Sequence, residues 1–200
     1  MHDGEVITDS ISNPGAFYIL FDRYVSDVTR FVTRNASPSH VEDLVIETFV
    51  TAFKLRAEYD PLRTSARPWI YGIANNLLRH HYRSLAREQA LFRKSTYWFV
   101  SEWTITLDTS SIDNRVDASA SEGLLVEALA TLRPESREPL LLHVLADLTY
   151  VEVAEALEIP VGTVRSRISR AKEELRQLLL ASRERNRLPE PSVYRERSDG

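Results

Sequence analysis

The chain has 200 residues, a formal net charge of −4 and 43% hydrophobic residues, which is enough for one or two packed domains. It has no cysteine, which excludes disulfides, thiolate zinc sites and cysteine nucleophiles. The polar start MHDGEVITDS is unlike a secretory signal, and the longest apolar run, PLLLHVLA, is too short to cross a membrane. We therefore expect a cytoplasmic protein.

The first part of the chain predicts three helices after a disordered N-terminus over residues 1–13. Apolar residues recur at helical spacing over 16–35, 38–57 and 68–92, and the polar sequence EYDPLRTSARP predicts a loop before the third helix. We interpret Trp69 and Tyr71 as core residues of this third helix. These three helices predict an all-α domain over residues 14–94.

A change of composition predicts a flexible acidic linker over residues 95–121. The segment is rich in Ser, Thr and Asp. It also holds an aromatic cluster of Tyr97, Trp98, Phe99 and Trp103, which is unusual for disordered sequence and favours docking of part of the linker on a neighbour.

A second helical domain is predicted over residues 122–181, followed by a disordered tail over 182–200. RPESREP interrupts its apolar pattern. Because Pro139 lacks a backbone donor, we expect a short turn there, with the main helix after it. The fold class is therefore all-α, with two helical domains.

Two short helices near the end of this domain form a predicted helix-turn-helix. Thr149 and Glu152 have the spacing of a capping box, and EIPVG provides a tight connection to a helix that starts near Val161. Apolar residues of that second helix share one stripe and are expected to face the core: Val161, Val164, Ile168, Ala171 and Leu175.

The second helix concentrates positive charge, since PVGTVRSRISRAK holds four cations and no acid. Such a helix fits the DNA major groove. The face expected to meet bases consists of Thr163, Arg165, Ser166, Ser169 and Arg170, while Arg167 and Lys172 on the flanks suit phosphates. The alternative interpretation is an amphipathic helix with a solvated charged face.

A second basic surface follows the third helix of the first domain. Its residues recur every three or four positions opposite the apolar stripe: Asn76, Arg79, His80, Arg83 and Arg87. The preceding loop adds Arg63, Thr64, Ser65 and Arg67. A groove of this kind with an adjoining pocket suits single-stranded DNA. His80 and His81 are adjacent and point apart on a helix, so we expect no metal site.

An acidic surface with apolar residues is predicted on the second helix of the first domain. It consists of Glu42, Asp43, Ile46, Glu47 and Val50. We interpret it as a docking surface for a basic partner, with an ordinary charged face near a helix N-terminus as the alternative.

Four segments, and the order in which they follow one another along the chain, resemble the extracytoplasmic-function (ECF) sigma factors of the bacterial sigma-70 family. They are VEDLVIETFVTAF, ARPWIYGIANNLLRHHYR, ALATLRPESREPLLLHVLADLTYVEVAEAL and IPVGTVRSRISRAKEEL. The sequence departs from the family at Asn75, where arginine is usual, at His80, where an acid is common, and at Pro139.

The resemblance implies an alternative sigma factor that is not an enzyme, has no cofactor and binds core RNA polymerase. Region 2 would bind the clamp coiled coil of the largest subunit through the Glu42 surface, and would hold melted −10 DNA through Asn76 and the loop before it. Region 4 would bind the −35 duplex through the helix from Val161. The flap of the second-largest subunit and an anti-sigma factor are further implied partners.

Two other functions remain open at this point. One is a stand-alone helix-turn-helix repressor or activator, which leaves the acidic surface and the Asn76 surface without a role. The other is an interaction protein, such as a decoy that titrates an inhibitor.

Overall fold

The computed structural model describes residues 1–92, 125 and 128–187; for 85–92 and 182–187 it describes the backbone alone. All regular structure in these residues is helical, which confirms the all-α expectation. The longer helices are α1 (Asp3–Ser12), α2 (Tyr18–Thr33), α3 (Val41–Leu55), α4 (Arg67–Phe92), α5 (Pro134–Leu145), α6 (Tyr150–Leu157) and α7 (Val161–Arg187). The linker predicted over 95–121 lies outside the described residues.

Helices α1 to α4 form the N-terminal domain. Leu20 and Val28 of α2, Ala52 of α3 and Ile70 of α4 are all completely buried in its core. The ring of Phe31 meets Tyr71 edge-on, with 5.2 Å between centroids. Tyr71 is 2% exposed, and Trp69 packs against the core, so their interpretation as core residues is confirmed.

The expectation that residues 1–13 are disordered is wrong, because residues 3–12 form α1. Val6 and Ile7 are buried in the core of the domain. His2 and Glu5 form a capping box that satisfies the first backbone N–H groups. Three apolar residues, Val6, Ile7 and Ile11, in a polar segment are a weak sequence signal, and tertiary contacts supply the rest of the stability.

Helices α5 to α7 form the C-terminal domain, preceded by a helical stretch over 128–131. Its core includes Leu142, Leu148, Val153, Val164 and Ile168. The predicted tail over 182–200 is not wholly irregular, since α7 continues through Arg187.

The expected turn before Pro139 is also absent, because α5 runs from Pro134 to Leu145 with Pro139 inside it. The proline removes one helical hydrogen bond. Its ring is buried, and the removal of this apolar surface from water compensates in part for the lost bond.

The two domains pack against each other through α4 and α6. A Cβ placed on Gly72 of α4 would lie 2.5 Å from the carbonyl oxygen of Ala156 of α6. The backbones therefore approach more closely than any side chain at position 72 allows. None of the described helices has the length and apolar content of a bilayer span.

Candidate nucleic-acid interface

Helices α6 and α7 form the helix-turn-helix that the sequence predicts. Thr149 N donates to Glu152 Oε2 at 2.8 Å, and Glu152 N donates to Thr149 Oγ1 at 3.3 Å, which completes the expected capping box. Glu158 ends α6 in the left-handed conformation with φ 54°. The Pro160 carbonyl then accepts from the N–H groups of Thr163 and Val164 in the first turn of α7.

The inner face of α7 is apolar, as predicted. Val164 and Ala171 are fully buried and Ile168 is 1% exposed, whereas Val161 and Leu175 are partly buried against the same core. This packing fixes which side of the helix is turned away from the domain.

The predicted DNA-contacting residues lie on the remaining face of α7. Exposed members are Arg165, Ser166, Ser169, Arg170 and Lys172, while Thr163 and Arg167 are partly buried. Ser166 Oγ donates to the Thr163 carbonyl at 3.0 Å. None of the four cations forms a hydrogen bond or ion pair with any residue that the structure describes.

An arginine further along α7 behaves differently. Arg176 donates to Glu173 through Nη2 at 2.7 Å and through Nε at 3.0 Å. Its charge is therefore balanced within the helix, whereas the charge between Arg165 and Lys172 is not.

The second predicted surface lies along α4. Asn76, His80 and Arg83 are exposed and Arg79 is partly buried. Arg79 Nη2 donates to Asn76 Oδ1 at 2.9 Å, so this arginine is held along the helix surface. Its buried Nε has no hydrogen-bond partner among the described residues.

The loop over residues 59–66 precedes α4, and it contains three of the remaining predicted residues. Arg63 is partly buried and Thr64 is exposed. Ser65 is engaged, since its hydroxyl lies 3.2 Å from Tyr24 Oη and donates to Asp3 Oδ2 at 3.3 Å.

Arg67, the first residue of α4, is engaged across the domain interface. Its Nη2 donates to the Ala146 carbonyl at 2.6 Å and its Nη1 to the Asp147 carbonyl at 3.4 Å. In the same interface Asn75 Nδ2 donates to Glu138 Oε2 at 3.2 Å. Sequence reasoning missed these contacts because their partners lie in the other domain.

The predicted docking surface on α3 is exposed. Glu42, Asp43 and Glu47 are solvent-exposed acids without an ion pair to any described residue. Ile46 is 53% exposed and Val50 is 43% exposed. The opposite face of α3 buries Leu44, Val45 and Phe49 in the domain core.

Two histidines lie together that the sequence did not relate. The rings of His40 and His81 are 4.4 Å apart between centroids. Among the described residues, no group of three or more His, Cys, Asp or Glu side chains has the arrangement of a metal site.

Comparison with known families identifies both domains. Residues 20–88 match Sigma-70 region 2, and residues 122–175 match Sigma-70, region 4. Together these matches span more than half of the chain.

Individual relatives agree with this result. The ECF RNA polymerase sigma factor SigC of Mycobacterium tuberculosis is 31% identical over 151 residues, covering 74% of this chain and 75% of the relative. The ECF RNA polymerase sigma-E factor of Haemophilus influenzae is 29% identical, covering 79% of this chain and 84% of the relative.

A solved structure of CnrH in complex with the cytosolic domain of CnrY is similar to the whole fold. The TM-score is 0.62 at 25% identity, with 90% of this chain and 97% of that chain covered. Two family matches, curated relatives and shared architecture thus agree. The chain belongs to the ECF group of the sigma-70 family, and it is an alternative sigma factor, a non-catalytic subunit with which RNA polymerase initiates transcription.

Proposed function

We propose that the chain binds promoter DNA through two separate surfaces and RNA polymerase through a third. The first surface is the outer face of α7, which binds the −35 element as duplex DNA through Thr163, Arg165, Ser166, Arg167, Ser169, Arg170 and Lys172. The observation that carries the proposal is the set of four cations on α7 without a partner in the described part of the chain.

Exposure divides these residues between two tasks. The exposed guanidinium groups of Arg165 and Arg170 suit bidentate hydrogen bonds to guanine in the major groove. Arg167, which is partly buried, and Lys172 suit phosphates, which position the helix without reading sequence.

The second surface holds the unpaired strand of the −10 element. It consists of Arg63, Thr64, Ser65, Arg67, Asn76, Arg79, His80 and Arg83. Arg67 is available to DNA after the domains separate, because the Ala146 and Asp147 carbonyls occupy its guanidinium group in this structure. DNA melting is favoured because this surface binds unpaired bases more tightly than duplex.

The third surface consists of Glu42, Asp43, Ile46, Glu47 and Val50 on α3. Its unpaired acids around two exposed apolar side chains are complementary to a basic partner with an apolar centre. We assign it to the clamp coiled coil of the largest polymerase subunit, with region 4 on the flap of the second-largest subunit. Polymerase then holds two modest DNA contacts together, which raises their combined affinity.

An anti-sigma factor is a further proposed partner. The similar protein CnrH has been solved in complex with the cytosolic domain of CnrY, which is a precedent for a protein partner of this fold.

Arg165→Ala and Arg170→Ala test the −35 assignment. Each removes a base-reading group, so promoter-specific transcription by reconstituted polymerase should fall by a factor that corresponds to about 1–3 kcal/mol, with relaxed base preference at one −35 position. Lys172→Ala should instead weaken DNA binding evenly across sequences. It should also reduce the slope of the logarithm of the binding constant against the logarithm of the salt concentration by about one. Polymerase binding should not change in any of them.

Arg176→Ala is the matched control, because it removes the same charge from the same helix at a residue already paired with Glu173. An equal loss of promoter-specific transcription in this control would show that the assay responds to the overall charge of α7 and not to base contacts. Loss of polymerase binding in Arg165→Ala would also contradict the assignment.

A further inference from the structure

The loop over residues 59–66 is held at its ends and exposed at its tip. Tyr59 and Ala66 are buried, and the Tyr59 ring lies against Trp69 with 5.0 Å between centroids. At the tip, Leu62 is 92% exposed, and its N–H donates to Asp60 Oδ1 at 3.0 Å. An apolar side chain such as Leu62 at the exposed tip of a loop suits contact with an unstacked base.

A buried carboxylate from the N-terminal helix fixes the end of this loop. Asp3 is 4% exposed, and its Oδ2 accepts from Ala66 N at 2.7 Å, from Tyr24 Oη at 2.5 Å and from Ser65 Oγ. Its Oδ1 accepts from Arg23. The loop backbone, a loop side chain and α2 are therefore joined at a single residue of α1.

The ionised form of Asp3 suits this arrangement. Burial alone raises the pKa of Asp3, but hydrogen bonds from Tyr24 and Ala66 and the charge of Arg23 outweigh it and hold the pKa below its ordinary value. Four donors saturate a carboxylate, and a neutral amide has fewer acceptor sites to offer them.

Helix α1 also touches the loop through its backbone. A Cβ on Gly4 would overlap the carbonyl oxygen of Pro61, so no side chain separates α1 from the middle of the loop. Val6 and Ile7, both buried, hold the helix in this place. The contact adjoins Leu62 and therefore the exposed tip.

We propose that Asp3 is a positioning residue that sets the conformation of the 59–66 loop and thereby the base preference of the sigma factor at the unpaired −10 position. The inference rests on the proposed function of this loop in holding the melted strand. Asp3 itself is buried and acts through Ser65 and the backbone at Ala66. No DNA contact by Asp3 is involved.

The test compares the full-length wild type with Asp3→Asn, reconstituted with core polymerase. Transcription is measured on templates with every base at each −10 position and at each −35 position, in duplex form and with the −10 segment already unpaired. Asp3→Asn should reduce discrimination between bases at an unpaired −10 position by about tenfold, a change of about 1.4 kcal/mol. Discrimination at the −35 positions and polymerase binding should stay the same.

Asp9→Asn is the matched control, since it makes the same change on α1 away from the loop and should keep the wild-type profile. Tyr24→Phe removes one hydrogen bond to Asp3 while leaving the carboxylate, and Tyr24 lies outside the proposed DNA-binding surface. This variant should reduce the same discrimination in part, and it provides the test if Asp3→Asn does not fold.

The possible outcomes distinguish the role of Asp3 from the proposed function of the 59–66 loop. If the wild type shows no base preference at unpaired −10 positions, the proposed function of the loop fails, and the role of Asp3 fails with it. If the wild type discriminates and the variants keep its profile, the role of Asp3 alone is overturned. A uniform loss on all templates also overturns it, because a merely stabilising residue affects every template alike.

Discussion

The phenol of Tyr24 lies between α1 and the 59–66 loop, and its ionisation reports on that contact. Burial and the hydrogen bond to Asp3 raise the pKa of Tyr24 to about 12. The unfolded chain ionises such a phenol near pH 10. The stability that depends on the protonated phenol is therefore fully present below about pH 10 and is lost as pH rises toward about 12.

We expect the wild type to lose unfolding free energy relative to Tyr24→Phe as pH rises from 9 to 11. Urea unfolding at several pH values in this range measures the difference. Tyr59, whose pKa burial also raises to about 12, is present in both proteins, so most of its contribution cancels. If the unfolding free energies of the two proteins changed with pH in the same way, Tyr24 would not be a buried, protonated phenol.

At the scale of a helix, α3 separates a buried packing face from the exposed face that we propose for docking. Its acids are solvent-exposed, and Ile46 and Val50 are exposed residues outside the buried core cluster. The pair Glu42→Lys/Asp43→Lys should therefore leave folding intact and weaken core-polymerase binding at least tenfold, because like charges then oppose each other across the interface. Co-elution with core polymerase and a binding titration measure this.

Asp22→Lys is the control for charge reversal at another exposed position of the same domain. If the double variant assembles with polymerase as well as this control does, α3 is not the docking surface. DNA binding through the outer face of α7 is not expected to change in either variant.

Helices with a clear apolar period could be predicted, and helices that depend on distant contacts could not. The stripes of α4 and α7 and the capping box at Thr149 are local patterns, and the structure contains each of them. Helix α1 was missed because the residues that it contacts are distant in sequence, such as Ala66, which lies 63 residues from its partner Asp3. The course of α5 through Pro139 likewise depends on burial of the ring.

At the scale of the whole molecule, close packing of α4 on α6 holds the two domains together. Gly72→Ala should weaken this packing, since the new Cβ would lie 2.5 Å from the Ala156 carbonyl and overpacking costs about 1–3 kcal/mol. We expect a larger radius of gyration by small-angle X-ray scattering and release of Arg67 from the C-terminal domain.

Gly162→Ala is the matched control, because nothing lies within 4 Å of a Cβ at that position of α7. Both changes replace a helical glycine, so both gain helix propensity, and the steric effect at Gly72 is what differs. An equally compact Gly72→Ala protein would show that α4 and α6 do not depend on this close approach.

Local sequence patterns were enough to predict the helical class, the two domains, the helix-turn-helix and the side of α7 that carries unbalanced charge. These depend on short-range periodicity, capping and charge order, which act within a few residues. Only the tertiary structure showed that α1 is ordered, that Asp3 accepts hydrogen bonds from Ser65 and Ala66 of the 59–66 loop, and that Arg67 and Asn75 contact the C-terminal domain. Such contacts join residues that are more than sixty positions apart, and no local pattern specifies which distant partners a buried polar group will find.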